Sequence, residues 1–170
     1  MGSRGKKPTA PDATPDRALE LWVVLARAFD AISRHTRASV ASFGLGATEF
    51  GVLEALYHKG PLPVCEVQRR ILIESGSTTY VVDKLVERGL VRRRRTAKDR
   101  RVINVELTPR GRRLIATVFP SHAETIRAAM GGLSEPDQAR AAQLLRTLGL
   151  AAAQRLADGP TSGLRNAAPS

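Results

Sequence analysis

Side chains able to bind phosphate and read base edges are concentrated between residues 75 and 101. Hydroxyl groups stand at the start of a predicted helix, a lysine follows further along the same helix, and a basic loop comes next. The candidate contacts are Ser75, Ser77, Thr78, Thr79, Lys84, Lys98, Asp99, Arg100 and Arg101. Such hydroxyl groups and arginines donate hydrogen bonds to phosphate oxygens and base edges. The pattern therefore predicts binding to double-stranded nucleic acid.

The positive charge of the chain lies largely in the same region. The 170 residues include 27 Lys and Arg against 16 Asp and Glu, a formal net charge of +11. Residues 83–113 alone hold twelve basic and four acidic side chains. A basic excess on one segment favours a polyanionic partner. A solvated surface is the alternative, but the position of these charges in a predicted hairpin favours nucleic acid.

Three elements are predicted to position these side chains. Val64–Ile73 is a short helix, and Ser75–Arg88 is a second helix that ends before a glycine. Val91–Arg95 and Arg101–Leu107 are strands joined by a basic loop. This order is a helix-turn-helix followed by a β-hairpin wing. The start of the second helix is expected in the major groove and the wing tip in the minor groove, where Asp99 would orient the neighbouring arginines.

Long helices are predicted before the winged unit. Asp16 to about Ser42 is one helix, and Ala47–Lys59 is another, with Gly46 as N-cap and Glu49 at its third position. The first helix carries an apolar stripe wider than one neighbour would cover. The residues of this stripe are Leu19, Trp22, Val23, Ala26, Phe29 and Ile32. A helix that is apolar on more than one side usually contacts more than one partner, so part of it is expected to meet a second subunit.

Two more helices are predicted after the wing. Thr108 caps a helix that runs to about Met130, and Pro120 is expected to kink or divide it. Ser134 caps the last helix, roughly 135–157. The terminal helices carry more apolar surface than one small winged unit can cover, which predicts a homodimer. Its two recognition helices would lie about 34 Å apart on a palindromic operator.

The predicted fold class is mainly α, a winged helix-turn-helix with terminal dimerisation helices and a small β-hairpin wing. Five segments follow from the sequence. They are a disordered basic arm (1–15), an N-terminal dimerisation helix (16–45), the winged helix-turn-helix region (46–108), C-terminal dimerisation helices (109–157) and a disordered tail (158–170).

Between Leu19 and Ala157 the chain resembles the MarR family of multiple-antibiotic-resistance regulators. The resemblance is carried by Ser75-Gly-Ser-Thr-Thr leading into Val82-Asp-Lys-Leu-Val-Glu-Arg-Gly-Leu-Val, then Asp99-Arg-Arg and Leu107-Thr-Pro-Arg-Gly. It implies a homodimeric transcription regulator, usually a repressor, with Asp99 and Arg101 as the wing pair and Arg101 in the minor groove. Gly46 and Pro63 stand where family members often have Ser or Thr caps.

The resemblance also implies control by a small phenolic or other anionic effector. Such a compound would bind between the dimerisation helices and the winged unit. Candidate pocket residues are Trp22, Phe29, His35, Phe50 and Tyr57. The alternative is that these aromatic side chains make ordinary core or dimer contacts.

Cys65 is the only cysteine of the chain. It lies at the start of the first short helix, where a helix N-terminus lowers a thiol pKa, and a redox switch is one hypothesis. The other is a small packing residue. The peroxide-sensing branch of the family carries its cysteine in the first helix, where this chain has none. His35, His58 and His122 show no spacing of a metal site, so no metal and no cofactor are predicted.

Several protein classes are excluded by what the sequence lacks. It has no phosphate-binding glycine loop, nucleophile elbow or catalytic triad pattern, so an enzyme is not expected. No apolar run approaches the ~20 residues of a membrane span, and a single cysteine indicates a reducing cytoplasm. The alternative function is an architectural winged-helix protein that coats DNA without sequence choice or effector.

Overall fold

The computed structural model describes residues 16–71, 78–95 and 103–159. Over these residues the fold is mainly helical with one small antiparallel sheet, which confirms the predicted class. The elements are α1 (Arg17–Ala41), α2 (Ala47–Lys59), β1 (Leu62–Pro63), α3 (Val64–Arg70), α4 (Thr78–Glu87), β2 (Val91–Arg95), β3 (Ile103–Leu107), α5 (Pro109–Met130) and α6 (Glu135–Ala157). The predicted arm, most of the predicted tail, and the starts of the recognition helix and second wing strand lie outside the described residues.

Local hydrogen bonds explain where the helices begin. The N–H group of Gly46 donates to Glu49 Oε2 at 2.7 Å, which forms the capping contact expected at the start of α2. Thr108 Oγ1 accepts from the N–H group of Gly111 at 3.0 Å and starts α5. Ser134 caps α6. These short-range signals lie in the sequence itself, and the predicted starts of the three helices are confirmed.

The sheet has a strand that the sequence did not indicate. Its order is β1-β3-β2, and all pairs are antiparallel. Leu62 pairs with Val105 and Pro63 with Asn104. A proline is acceptable here because β1 is an edge strand, where the missing N–H group faces away from the sheet. A strand of two residues is too short for any alternation of apolar and polar side chains.

The core of residues 16–126 is built around α2, α4, β3 and α5. Leu53, Leu85, Val105 and Ile115 are fully buried at its centre. The N–H group of Leu90 donates to the Leu85 carbonyl at 2.9 Å after the positive φ of a glycine, so the predicted helix stop is confirmed. Burying these apolar side chains fixes α4 to the rest of the unit.

One predicted helix boundary in this region is wrong. The first short helix ends at Arg70 rather than Ile73, and Ile71 turns to extended backbone. Pro120 lies inside one continuous helix α5, so the predicted division does not occur, while the predicted kink stays a prediction. Buried side chains on both sides of this proline hold the helix together despite the lost hydrogen bond.

The chain forms two compact units, Met1–Ile126 and Arg127–Ser170. Both carry apolar helix surface that is exposed. In α1 the one buried residue is Val40, while α6 buries none. No helix in the described part of the chain is long and apolar enough to cross a membrane.

Candidate nucleic-acid interface

The N-terminal half of α4 presents two exposed side chains. Thr79 is exposed, and the ring of Tyr80 is 70% exposed. Thr78 is 2% exposed, so its predicted place on the contact surface is wrong. Successive residues of a helix differ by about 100° in direction, and Thr78 takes the inward direction. Ser75 and Ser77 lie outside the described residues.

Strand β2 adds a basic surface that the candidate residues did not include. Its four arginine side chains are exposed. Arg92 Nε donates to Glu106 Oε1 at 2.6 Å, and Arg93 pairs with Asp83 on α4. Arg94 and Arg95 have no ion-pair partner among the described residues. The run of four arginines was the available signal, because successive side chains of a strand point to opposite faces, and charged side chains on both faces indicate that both are exposed. Lys98, Asp99, Arg100 and Arg101 lie outside the described residues.

Lys84, a predicted DNA contact, is held by a carboxylate of the same chain. Its Nζ lies 3.1 Å from Oε1 of Glu49. Arg88 Nη1 donates to the same oxygen at 3.0 Å, and Arg88 Nη2 donates to the Gly44 carbonyl at 3.1 Å. Glu49 is 5% exposed. The sequence placed Glu49 only at the positive end of a helix, and its contacts with α4 depend on tertiary packing.

The electrostatics of Glu49 follow from these contacts. Burial by itself raises the pKa of a carboxyl group. Here the hydrogen bonds from the Gly46 N–H group, Lys84 and Arg88 outweigh burial, so the pKa of Glu49 lies below its ordinary value. The carboxylate therefore remains ionised and acts as an acceptor for both α4 cations.

A cavity of about 550 Å³ opens among α1, α2 and α5. Val40, Phe50 and Ile71 contribute apolar walls, and Glu54, His58, Lys59, Arg70 and His122 contribute polar groups. The volume and the few convergent polar groups are typical of small-molecule sites.

The structure brings only part of the predicted effector pocket to this cavity. Phe50 lines the cavity, but Trp22, Phe29, His35 and Tyr57 do not. Trp22 and Phe29 are 65% and 71% exposed, because α1 reaches the core only near its C-terminal end. His35 is exposed, and Tyr57 instead packs near His58 and Phe119.

His122 is the cavity residue that the sequence did not single out for ligand binding. It is 6% exposed, and its ring centroid lies 4.3 Å from that of Phe50. Its Nδ1 has no hydrogen-bond partner in the described structure. Burial lowers the pKa of His122, and the charge of Glu54 opposes that shift only in part. A buried neutral imidazole with a free nitrogen can bind a polar group of a ligand.

No group of three or more metal-binding side chains occurs among the described residues. Cys65 is exposed in the first turn of α3. Its role as a redox switch stays a prediction.

Known proteins match this chain in sequence and in fold. Residues 43–102 match the MarR family. The HTH-type transcriptional regulator MhqR of Bacillus subtilis (strain 168) is 40% identical over 139 residues, 82% of this chain and 96% of that protein. AbsC, a MarR family transcriptional regulator from Streptomyces coelicolor, has a TM-score of 0.74 over 82% of this chain and 96% of its own, at 17% identity. The MarR family protein Rv2887 of Mycobacterium tuberculosis, in complex with p-aminosalicylic acid, has a TM-score of 0.61 over 76% of this chain and 98% of its own, at 24% identity.

The identity with MhqR extends beyond the winged unit. It covers almost the whole length of that regulator, and α4 with the β2–β3 wing has the arrangement of a DNA-binding helix and hairpin. Proteins of this kind regulate transcription and are not enzymes. The chain therefore belongs to the MarR family of winged helix-turn-helix transcriptional regulators.

Proposed function

We propose that the protein is a homodimeric repressor that binds a palindromic operator and is released by a small aromatic anion. The observation that carries this proposal is that one compact unit, residues 16–126 where described, combines exposed side chains suited to DNA with a separate cavity. Arg94 and Arg95 are exposed on β2, and Thr79 and Tyr80 are exposed on α4. The cavity contains His122, a buried polar group with a free nitrogen. A DNA surface and a ligand site in one unit are the minimum for an effector-controlled regulator.

The dimer is supported by the exposed apolar side chains of α1 and α6. Leu19, Trp22, Val24 and Phe29 on α1 are each more than half exposed. A surface of this kind on a single chain marks an interaction site. A second copy is the partner that brings two recognition helices to one DNA duplex, as a palindromic operator requires.

The effector class follows from the composition of the cavity. Phe50, Val40 and Ile71 suit a flat apolar body. Lys59 has no ion-pair partner among the described residues and supplies a positive charge for a carboxylate or phenolate. The complex of Rv2887 with p-aminosalicylic acid concerns that protein, and at 24% identity it illustrates the fold rather than the specificity of this chain.

Footprinting on the DNA upstream of its own gene tests the proposal. The purified protein is expected to protect a short palindrome, and one member of a panel of aromatic acids is expected to erase the footprint. His122→Asn should retain the footprint and respond to that acid at a higher concentration. Diffuse protection that disappears with salt and ignores every acid would favour the architectural alternative.

An oxidant included in the same assay tests Cys65. Release of the wild-type protein but not of Cys65→Ser by the oxidant would support the redox hypothesis. Equal release of both proteins would exclude it.

A further inference from the structure

One carboxylate joins the start of α2 to the recognition helix. Glu49 Oε2 accepts the Gly46 N–H group at 2.7 Å, and Oε1 accepts from Lys84 at 3.1 Å and from Arg88 at 3.0 Å. Both oxygens are therefore occupied, and both cations lie on or directly after α4. Arg88 extends the connection to the Gly44 carbonyl in the turn between α1 and α2.

We propose that Glu49 is a positioning residue for DNA binding, which retains Lys84 in an internal ion pair and withholds it from the DNA phosphates. On this proposal the Glu49 carboxylate accepts from the Lys84 ammonium group in the place of a phosphate oxygen. Lys84 then stabilises the orientation of α4 and contributes nothing to the count of phosphate contacts. Lys84 should be withheld from the phosphates of any duplex that the protein binds, whatever its operator or effector is.

Burial explains why a phosphate does not displace Glu49. The side chain of Glu49 is 7% exposed, whereas that of Lys84 is 50% exposed. Moving Lys84 to a phosphate would leave a buried carboxylate with one cation fewer, and a buried charge that loses a partner is strongly unfavourable. An ion pair between Lys84 and a phosphate would gain less free energy, because that pair would be exposed to water.

Two arginines of the wing strand β2 differ from Lys84 in their contacts. Arg94 and Arg95 are exposed and have no ion-pair partner in the part of the chain that the structure describes. A phosphate that binds either of them breaks no ion pair among the described residues. These two side chains are therefore expected to contribute to the salt dependence of binding, while Lys84 is not.

The salt dependence of DNA affinity measures this difference directly. The slope of log K against log [salt] changes by about 0.9 for each phosphate contact on B-DNA. Binding is measured by fluorescence anisotropy with the full chain and a random-sequence duplex, over a range of salt concentrations. Because no operator is needed, failure of the proposed operator or effector would not affect the result.

Three single variants and one double variant decide the question. Arg94→Ala should make the slope less steep by about 0.9, and Lys84→Ala should leave it unchanged. Glu49→Gln retains an oxygen acceptor for the Gly46 N–H group but loses its charge, so Lys84 becomes available. Its slope should become steeper by about 0.9, and adding Lys84→Ala should restore the wild-type slope. A merely structural role for Glu49 would not produce a slope gain that depends on Lys84.

The result that overturns the proposal is equally specific. If Lys84→Ala reduces the slope as much as Arg94→Ala does, then Lys84 contacts phosphate in the complex. Lys84→Ala removes a half-exposed side chain, so this comparison holds even if Glu49→Gln fails to fold. Thermal melts of each variant establish which of them is folded.

Discussion

The guanidinium group of Arg93 on β2 donates a hydrogen bond to the carboxylate of Asp83 on α4. This ion pair joins the first strand of the wing to the recognition helix. Asp83 and Arg93 are ten residues apart, and the turn between them contains Gly89, whose positive φ reverses the chain. The two DNA-binding elements are therefore tied to one another by a side-chain contact as well as through the core.

Asp83→Asn should cost less than about 1 kcal/mol of unfolding free energy, because both side chains of the pair are more than a third exposed. A double-mutant cycle with Arg93→Gln, measured by urea unfolding, should give a coupling energy of about 0.2–1 kcal/mol. A coupling near zero would mean that the pair has no stabilising role in solution.

Tyr80→Ala should weaken binding to the operator by about 1–3 kcal/mol and leave binding to a random duplex nearly unchanged. Tyr80, the aromatic residue of α4, is 70% exposed, and its ring and hydroxyl group can contact a thymine methyl group or a base edge. Tyr80→Phe separates the ring from the hydroxyl group in the same titration. An equal loss on both DNAs would point to a phosphate contact instead.

Gly111→Ala should destabilise the protein by about 1–3 kcal/mol, the usual range for overpacking. A Cβ atom at this position would lie 1.9 Å from the Leu90 carbonyl oxygen. The change would force the start of α5 away from the end of α4. Denaturant unfolding at fixed protein concentration measures the effect.

Gly149→Ala is the matched control for that substitution. Gly149 also lies within a helix, and a Cβ atom there meets no described residue within 4 Å. It should be neutral or stabilise the protein by up to about 1 kcal/mol. Similar losses in both variants would show that the close approach at Gly111 has no special effect.

Acidification should destabilise the protein in a way that depends on His122. Burial lowers the pKa of this imidazole in the folded chain, whereas an unfolded histidine titrates at roughly 6.5. The unfolded state therefore binds more protons in this range, so the stability contributed above the unfolded pKa is lost as pH falls through the folded pKa. Unfolding free energies measured between about pH 7.5 and 5 should decline less steeply in His122→Gln.

His35→Gln controls for the loss of a histidine, since His35 is exposed. Its unfolding free energies are measured over the same pH range. If His122→Gln declines as steeply as the wild type, another group is responsible for the acid sensitivity.

Local patterns account for most of what the sequence predicted correctly. The starts of α2, α5 and α6 depend on caps within three residues of each helix start, such as Gly46 with Glu49. The helix stop at Gly89 and Leu90 is equally local. Strand β1 and the unbroken α5 were not predictable in this way. Both depend on tertiary pairing and packing, which override the local preference against proline.

The candidate site was harder to predict for the same reason. The direction of Thr78 depends on helix phase, which the sequence between residues 72 and 77 does not fix. Trp22 and Phe29 were assigned to a pocket by residue type, but α1 extends past the core of its own unit. Glu49 meets Lys84 and Arg88 across at least 35 residues of chain, a contact that no spacing rule specifies.

Both edges of the three-stranded sheet are poorly suited to accept another strand. β1 has two residues, and one of them, Pro63, has no N–H group to donate. The opposite edge is β2, where four exposed arginines repel a similar strand. Unprotected sheet edges are where proteins aggregate into extended β-structures. Pairing of these sheet edges between copies is therefore disfavoured, and self-assembly is left to helical surfaces.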